Sequence, residues 1–204
     1  SASDTDAMRI ASNGVVTFTQ QPVGISAGGL IKLTSTTISS ATNQIAFNST
    51  YINSTYDTYK IIFTNMSVVG ESHDLAVSFS VDNGSNLATT VGGYSYRQIT
   101  GTDASGGHSI SAHPLAEDTA EEQSTSAGIS GEFMIINVNN TERYKYTFSN
   151  AITENGGGAN NYYGYMSKGV VKNASAVNYL KIHARNSASA QIDRGTAILY
   201  GVVK

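Results

Sequence analysis

The residues that could do chemistry in this chain are four histidines (His73, His108, His113, His183), one acidic run, many serines and clustered tyrosines. A hydrolytic site needs a nucleophile beside a base, or two carboxylates facing each other across a cleft. No serine stands in the G-x-S-x-G turn that exposes a nucleophile; Gly128-Ile129-Ser130-Gly131 instead opens a strand-like run. His108 and His113 share a Gly/Ser/Pro-rich stretch, and neither H-x-H nor H-E-x-x-H occurs, so exposed loop histidines are expected there. Glu117, Asp118, Glu121 and Glu122 could wrap a calcium ion, but alternating acids with a glycine turn are missing. A solvated charge run is therefore the expectation for them. Gly92-Gly93, Gly106-Gly107 and Gly156–Gly158 open no helix with the lysine or third glycine of a phosphate cradle, and are expected in turns or loops. No catalytic residue, metal or cofactor is expected.

The tyrosines carry more. Tyr94 and Tyr96 fall two apart on one predicted strand, next to Arg97, while Tyr162, Tyr163 and Tyr165 follow the triple glycine with Lys168 beyond. Aromatic faces beside amides and hydroxyls suit sugar rings, which offer apolar C–H faces and polar edges. Tyr94, Tyr96, Arg97, Tyr162, Tyr163 and Tyr165 are the candidate glycan or receptor contacts. Alternate tyrosines of a strand also pack into a sandwich or a subunit interface, and that reading stands beside the first.

These side chains need a scaffold, and composition bounds it. The chain has 204 residues, 40% of them hydrophobic and only 13% charged, against ~25% charged in ordinary globular proteins. Ser, Thr, Asn and Gly fill the difference, so the surface is polar without being charged. A net charge of −3, with 12 Lys and Arg scattered along the chain, argues against a nucleic-acid partner. No cysteine is present, which excludes disulfides and thiolate zinc sites. No apolar run approaches the ~20 residues of a membrane-spanning helix, and no membrane insertion is expected. The opening SASDTDAMRIASNG has neither the basic region nor the apolar core of a signal peptide. Without an initiator Met, it is expected to belong to a processed product or a piece of a longer chain. N-x-[ST] triplets include those that begin at Asn48, Asn53, Asn65, Asn139 and Asn173, and are read as unglycosylated.

Two parts are expected, residues 1–29 and 30–204. In the first, Asn13-Gly14 between short apolar segments predicts a β-hairpin, too small to stand alone, followed by the flexible link ISAGG. From Leu30 onward, runs of alternating apolar and polar residues recur between turn signals such as Asp82-Asn83-Gly84. Asn139-Asn140-Thr141 predicts a tight hairpin between two of these runs, and His113–Ser126 and Glu154–Asn161 predict surface loops. Roughly ten strands at this spacing, with no sustained helical period, predict an all-β fold: an antiparallel, jelly-roll-like β-sandwich preceded by a hairpin shaft segment.

AMRIASNGVVTF (residues 7–18) resembles the "MRI-x-S-x-G-x-V" element of bacteriophage tail-fibre and appendage proteins. YINSTYDTYKIIFTNM (51–66), with its Tyr-Asp-x-Tyr-Lys opening, and the closing GTAILYGVVK (195–204) resemble C-terminal modules of marine phage structural proteins. The matched pieces cover about a fifth of the chain and are strand and turn elements, so no ligand residue carries over. The resemblance implies a homotrimeric appendage protein displayed on the virion, on tail fibre or capsid surface, among other virion proteins. A trimer would also cover the leading hairpin and exposed strand edges.

Three functions follow as expectations. The first is a fibre or appendage tip module for host attachment, with a host surface glycan or receptor as partner and trimer valency multiplying weak contacts. The second is a capsid decoration or head-fibre scaffold role. The third is a glycan depolymerase, for which the carboxylates across a groove are too few.

Overall fold

The computed structural model describes residues 8–10, 12, 16–18, 29–69, 73–87, 94–100, 103–109, 112–116, 128–154, 162–185 and 189–203. Their side chains are described as well, except at 8–10, 16–18, 94–100, 103–109, 154 and 162–163. All regular structure among them is strand. The leader forms β1 (Met8–Ile10) and β2 (Val16–Phe18), an antiparallel pair with Met8 opposite Phe18, as a two-stranded sheet of its own. The strands that follow are β3 (Leu30–Ile38), β4 (Ile45–Phe47), β5 (Thr58–Val69), β6 (Asp74–Ser80), β7 (Tyr94–Thr100) and β8 (Asp103–Ser109). Then come β9 (His113–Ala116), β10 (Ile129–Ile136), β11 (Lys145–Glu154), β12 (Tyr162–Val171), β13 (Tyr179–Arg185) and β14 (Gln191–Val202).

Two antiparallel sheets pack face to face as a β-sandwich. The large sheet has eight strands in the order β3-β14-β5-β10-β11-β12-β7-β8, and the small sheet four, β4-β13-β6-β9. The chain steps between sheets through β3, β4, β5 and β6 and closes back with β13 and β14. The last strands therefore lie between the first: β14 between β3 and β5, β13 between β4 and β6. The all-β, antiparallel sandwich expected from sequence is thus present, and β7, β8, β11 and β12 all lengthen the large sheet beyond β10.

The core lies between the sheets. Phe47, Leu75, Val77, Phe79, Leu180 and Ile182 from the small sheet meet Tyr59, Ile61, Phe63, Phe133, Ile135, Ala197 and Leu199 from the large one, all at or near zero exposure. Phe79 and Phe133 join the layers with ring centroids 5.9 Å apart. Each such ring removes about 2–3 kcal/mol worth of apolar surface from water, so these contacts set the pairing of the layers.

Three local expectations are corrected. Gly106 and Gly107 do not sit in a turn: they lie within β8, paired with Arg97 and Tyr96 of β7. His113–Ala116 is not loop but β9, the edge of the small sheet, where Pro114 is tolerated because an edge strand can spare one donor. The Asn139-Asn140-Thr141 hairpin is not tight, since residues 137–144 separate β10 from β11. Asn140 organises that wider loop by accepting the backbone N–H groups of Glu142 (2.8 Å) and Arg143 (2.7 Å) at its side-chain oxygen. The turn at Asp82-Asn83-Gly84 is present, with φ of 58° at Asn83 and 91° at Gly84, conformations that Asn and Gly adopt most readily.

Candidate functional site: the outer face of the large sheet

β11 is built inside out. Its sequence KYTFSNAITE alternates, but Lys145, Thr147, Ser149 and Thr153 point into the sandwich while Tyr146, Phe148 and Ile152 face outward. Slipping the strand by one residue would bury the aromatic set. The observed register is held by polar partners for the buried groups. His113 on β9 lies between Thr147 Oγ1 at its Nδ1 (3.0 Å) and Ser149 Oγ at its Nε2 (3.0 Å). Ser149 Oγ also reaches the Pro114 carbonyl at 3.4 Å. One assignment satisfies every group: Thr147 donates to Nδ1, Nε2–H donates to Ser149, and Ser149 donates to Pro114. The imidazole stands edge-on to Phe133 at 5.3 Å, and its complete burial pushes its pKa down to about 3. Lys145 Nζ donates to the carbonyls of Asn140 (2.6 Å), Arg143 (3.3 Å), Asn173 (3.1 Å) and Ala174 (2.8 Å). Desolvation lowers its pKa, and the Asp57 carboxylate opposes that shift.

The face this register leaves outside is mixed in chemistry. Across the sheet, one row runs Lys32, Tyr200, Lys60, Met134, Phe148, Lys168, each opposite the next. The neighbouring row runs Ser35, Ile198, Ile62, Glu132, Asn150, Met166. A shorter row sets Ser130, Ile152 and Gly164 side by side. Phe148 is 37%, Met166 44% and Ile152 55% exposed, large apolar groups left to water in one patch. Lys60 and Glu132 form an ion pair at 2.5 Å.

Between these side chains the surface is hollowed. A groove of about 230 Å³ is lined by Lys60, Glu132, Met134, Phe148, Met166 and Lys168, with Asn150 beside them. A hollow of about 510 Å³ adjoins it through Glu132 and Asn150 and extends past Ile152 and Gly164. A third, of about 170 Å³, adjoins through Phe148 and Lys168 and ends at Tyr146 and Val170. The strip follows β11 from Ile152 to Tyr146, roughly 20 Å at the rise of a strand.

The tyrosines singled out from sequence are placed differently. Tyr165 is in the core, 6% exposed, so the packing reading holds for it and its ring is removed from the candidate contacts. Tyr94, Tyr96 and Arg97 lie on β7, where Tyr96 pairs with Gly169 of β12; Tyr162 and Tyr163 open β12 opposite Glu154 and Thr153. The side chains of those five lie outside the described residues. Phe148, Met166 and Lys168 were within reach of sequence reasoning, because KYTFSNAITE and YYGYMSKGVV alternate clearly. Alternation alone does not say which face is inward, and the polar face went in.

Two serine–histidine contacts have the outline of a nucleophile and its base. Ser149 with His113 is sealed in the core. On the small sheet, Ser78 Oγ lies 2.8 Å from His183 Nε2, and the other ring nitrogen donates to the Ala184 carbonyl at 2.8 Å. Ser78 is 3% exposed, and burial lowers the His183 pKa to about 4. A carbonyl reached by neither hydroxyl cannot be attacked, so both contacts act as structural links between strands. With both ring nitrogens of His113 engaged, the histidine pair considered from sequence offers no ligand from that side. Among the described residues, no three His, Asp or Glu side chains are placed to hold a metal ion. The acidic run 117–122 and the glycines at 92–93 and 156–158 lie outside the described residues.

No protein-family model matches the chain, and neither the curated proteins nor the solved structures offer a significant match. The phage resemblance therefore rests on its short motifs alone.

Proposed function

We propose that the chain is a bacteriophage virion appendage protein, a fibre or appendage tip module that attaches the particle to its host and works as a homotrimer without catalysing a reaction. The observation that supports this best is the inverted strand β11. A buried histidine, a buried lysine and two buried hydroxyls serve to keep Tyr146, Phe148 and Ile152 outside. An arrangement that sets exposed apolar groups against buried polar ones is expected where the face has a partner. The MRI-x-S-x-G-x-V leader, paired as the β1–β2 hairpin, suits a shaft element ahead of such a tip.

The test uses the full chain and the phage that encodes it. Gold-labelled antibody should decorate the particle surface, and purified chain should adhere to host cells and compete with the phage for adsorption. Particles without label, or adsorption untouched by excess chain, would overturn the reading. A capsid decoration role is the second reading, favoured by exposed Leu30 and Ile31 on edge strand β3, which suit assembly contacts. Label over the head rather than the tail would select it.

A further inference from the structure

We propose that the strip along β11 binds an acidic saccharide: sugar rings lie on Phe148 and Met166, and a sugar carboxylate meets the Lys168 ammonium. This rests on the attachment reading above and names the chemistry of what is attached. The adjoining hollows make one continuous trough, which takes a chain of rings rather than a single compact ligand. Its floor is apolar at Met134, Phe148, Met166 and Ile152, matching the C–H faces of pyranose rings.

The polar groups set the charge. Glu132 is held by Lys60, whereas among the described residues neither the Lys168 ammonium nor the Asn150 amide has a partner. Within the described trough one cation and one amide are thus open to a ligand, and the uncompensated charge is positive. Charge-assisted hydrogen bonds from Lys168 to a carboxylate are the strongest contacts this surface can make.

A second copy of the chain fits the face poorly. Lys32, Lys60 and Lys168 lie in one row, and Glu132 is the one acid in the rows that line the trough. Two such faces brought together would desolvate ammonium groups against one another. An extended peptide adds to a sheet edge, and the edges here are β3 and β8, strands away from the trough.

Gly164 supplies the means to test this. It lies opposite Ile152 at the floor of one hollow, and a Cβ there would meet no atom within 4 Å. Gly164→Tyr therefore fills the trough without displacing a native contact. Titration calorimetry of the full chain with oligogalacturonate should show binding that weakens as salt rises, with neutral malto-oligosaccharides bound far less. Lys168→Gln should lose roughly tenfold in affinity, and Gly164→Tyr should lose binding with its melting temperature unchanged. Equal affinity for the neutral oligosaccharide, or full affinity in Gly164→Tyr, overturns the proposal, as does the absence of binding. The two levels separate cleanly. A Gly164→Tyr chain that still adheres to host cells removes the trough and leaves attachment standing. Oligogalacturonate binding by a chain that adheres to no cell removes attachment and leaves the trough.

Discussion

The imidazole of His113 and the hydroxyl of Ser149 meet 3.0 Å apart where neither is open to solvent, and that contact ties the small sheet to β11. Charging the ring there would leave an uncompensated cation between two hydroxyls and the edge of Phe133. The fold consequently carries an acid sensitivity. A folded pKa of about 3 lies below the ordinary 6.5, so between these values the unfolded chain binds a proton that the native chain refuses. Stability from this group is complete above pH 6.5 and falls as pH drops toward 3. At pH 5 the loss is about 2 kcal/mol, and His183, lowered to about 4, adds about 2 kcal/mol more by the same sign. Urea midpoints at pH 7 and pH 5 check this; equal midpoints would show that the two rings are already charged or already wet.

Lys145 is the second support of the inverted strand. Its ammonium gathers the carbonyls of the β10–β11 loop and of the β12–β13 connection, sharing its three N–H groups among four acceptors. Lys145→Met keeps the length of the side chain and removes the donors. The expected cost is about 3 kcal/mol, from partly buried carbonyls that lose a charged donor. Chemical denaturation measures it directly. A loss under about 1 kcal/mol would mean that water takes over the four bonds.

The motifs that suggested phage proteins prove to be packing partners. Tyr56 of the Tyr-Asp-x-Tyr-Lys opening lies against Gly201 of the closing strand, where a Cβ would stand 2.5 Å from the ring. In the same motif, Tyr59 OH donates to the Asn53 carbonyl and accepts the Asn53 N–H, both at 2.8 Å, which fixes the turn before β5. Gly201→Ala should therefore destabilise by about 1–3 kcal/mol, since ring and strand have to part. Tyr56→Ala combined with it should cost less than the sum of the two single changes, because the clash is gone. Additive costs in that cycle would show that the ring does not rest on the glycine.

Much of the fold was legible. Alternation in YDTYKIIFTNMSV, DLAVSFS and GTAILYGVVK marked β5, β6 and the end of β14, because each has an apolar face that turns into the core, although in β6 the polar residues are buried as well. β8 was missed: Asp103–Ser109 contains Gly106-Gly107 and no large apolar residue, and its strand state comes from pairing with β7 rather than from propensity. The site was less legible for one physical reason. A period of two reveals that a strand has two faces, and the usual rule assigns the apolar one inward. In β11 that rule is overridden by His113, from a different strand, and by carbonyls from loops distant in sequence, none of which a local pattern encodes.

Oligomerisation separates the two ends of the large sheet. Leu30 (42% exposed) and Ile31 (39%) lie on β3, the edge strand that follows the leader, while Phe148 lies four strands away on β11. At about 4.8 Å per strand the two patches are roughly 20 Å apart, so a contact can use one without covering the other. Light scattering coupled to size exclusion should give the intact chain a mass near three times 21.5 kDa if the edge and leader carry the trimer. Leu30→Ser with Ile31→Ser should then shift it toward the monomer, because both side chains face water in the single chain and their loss costs the protomer little. Phe148→Ala should leave the mass unchanged and weaken saccharide binding. The reverse pattern, with the mass falling on Phe148→Ala and holding with the β3 changes, would move the subunit contact onto the β11 face and leave no room there for a ligand.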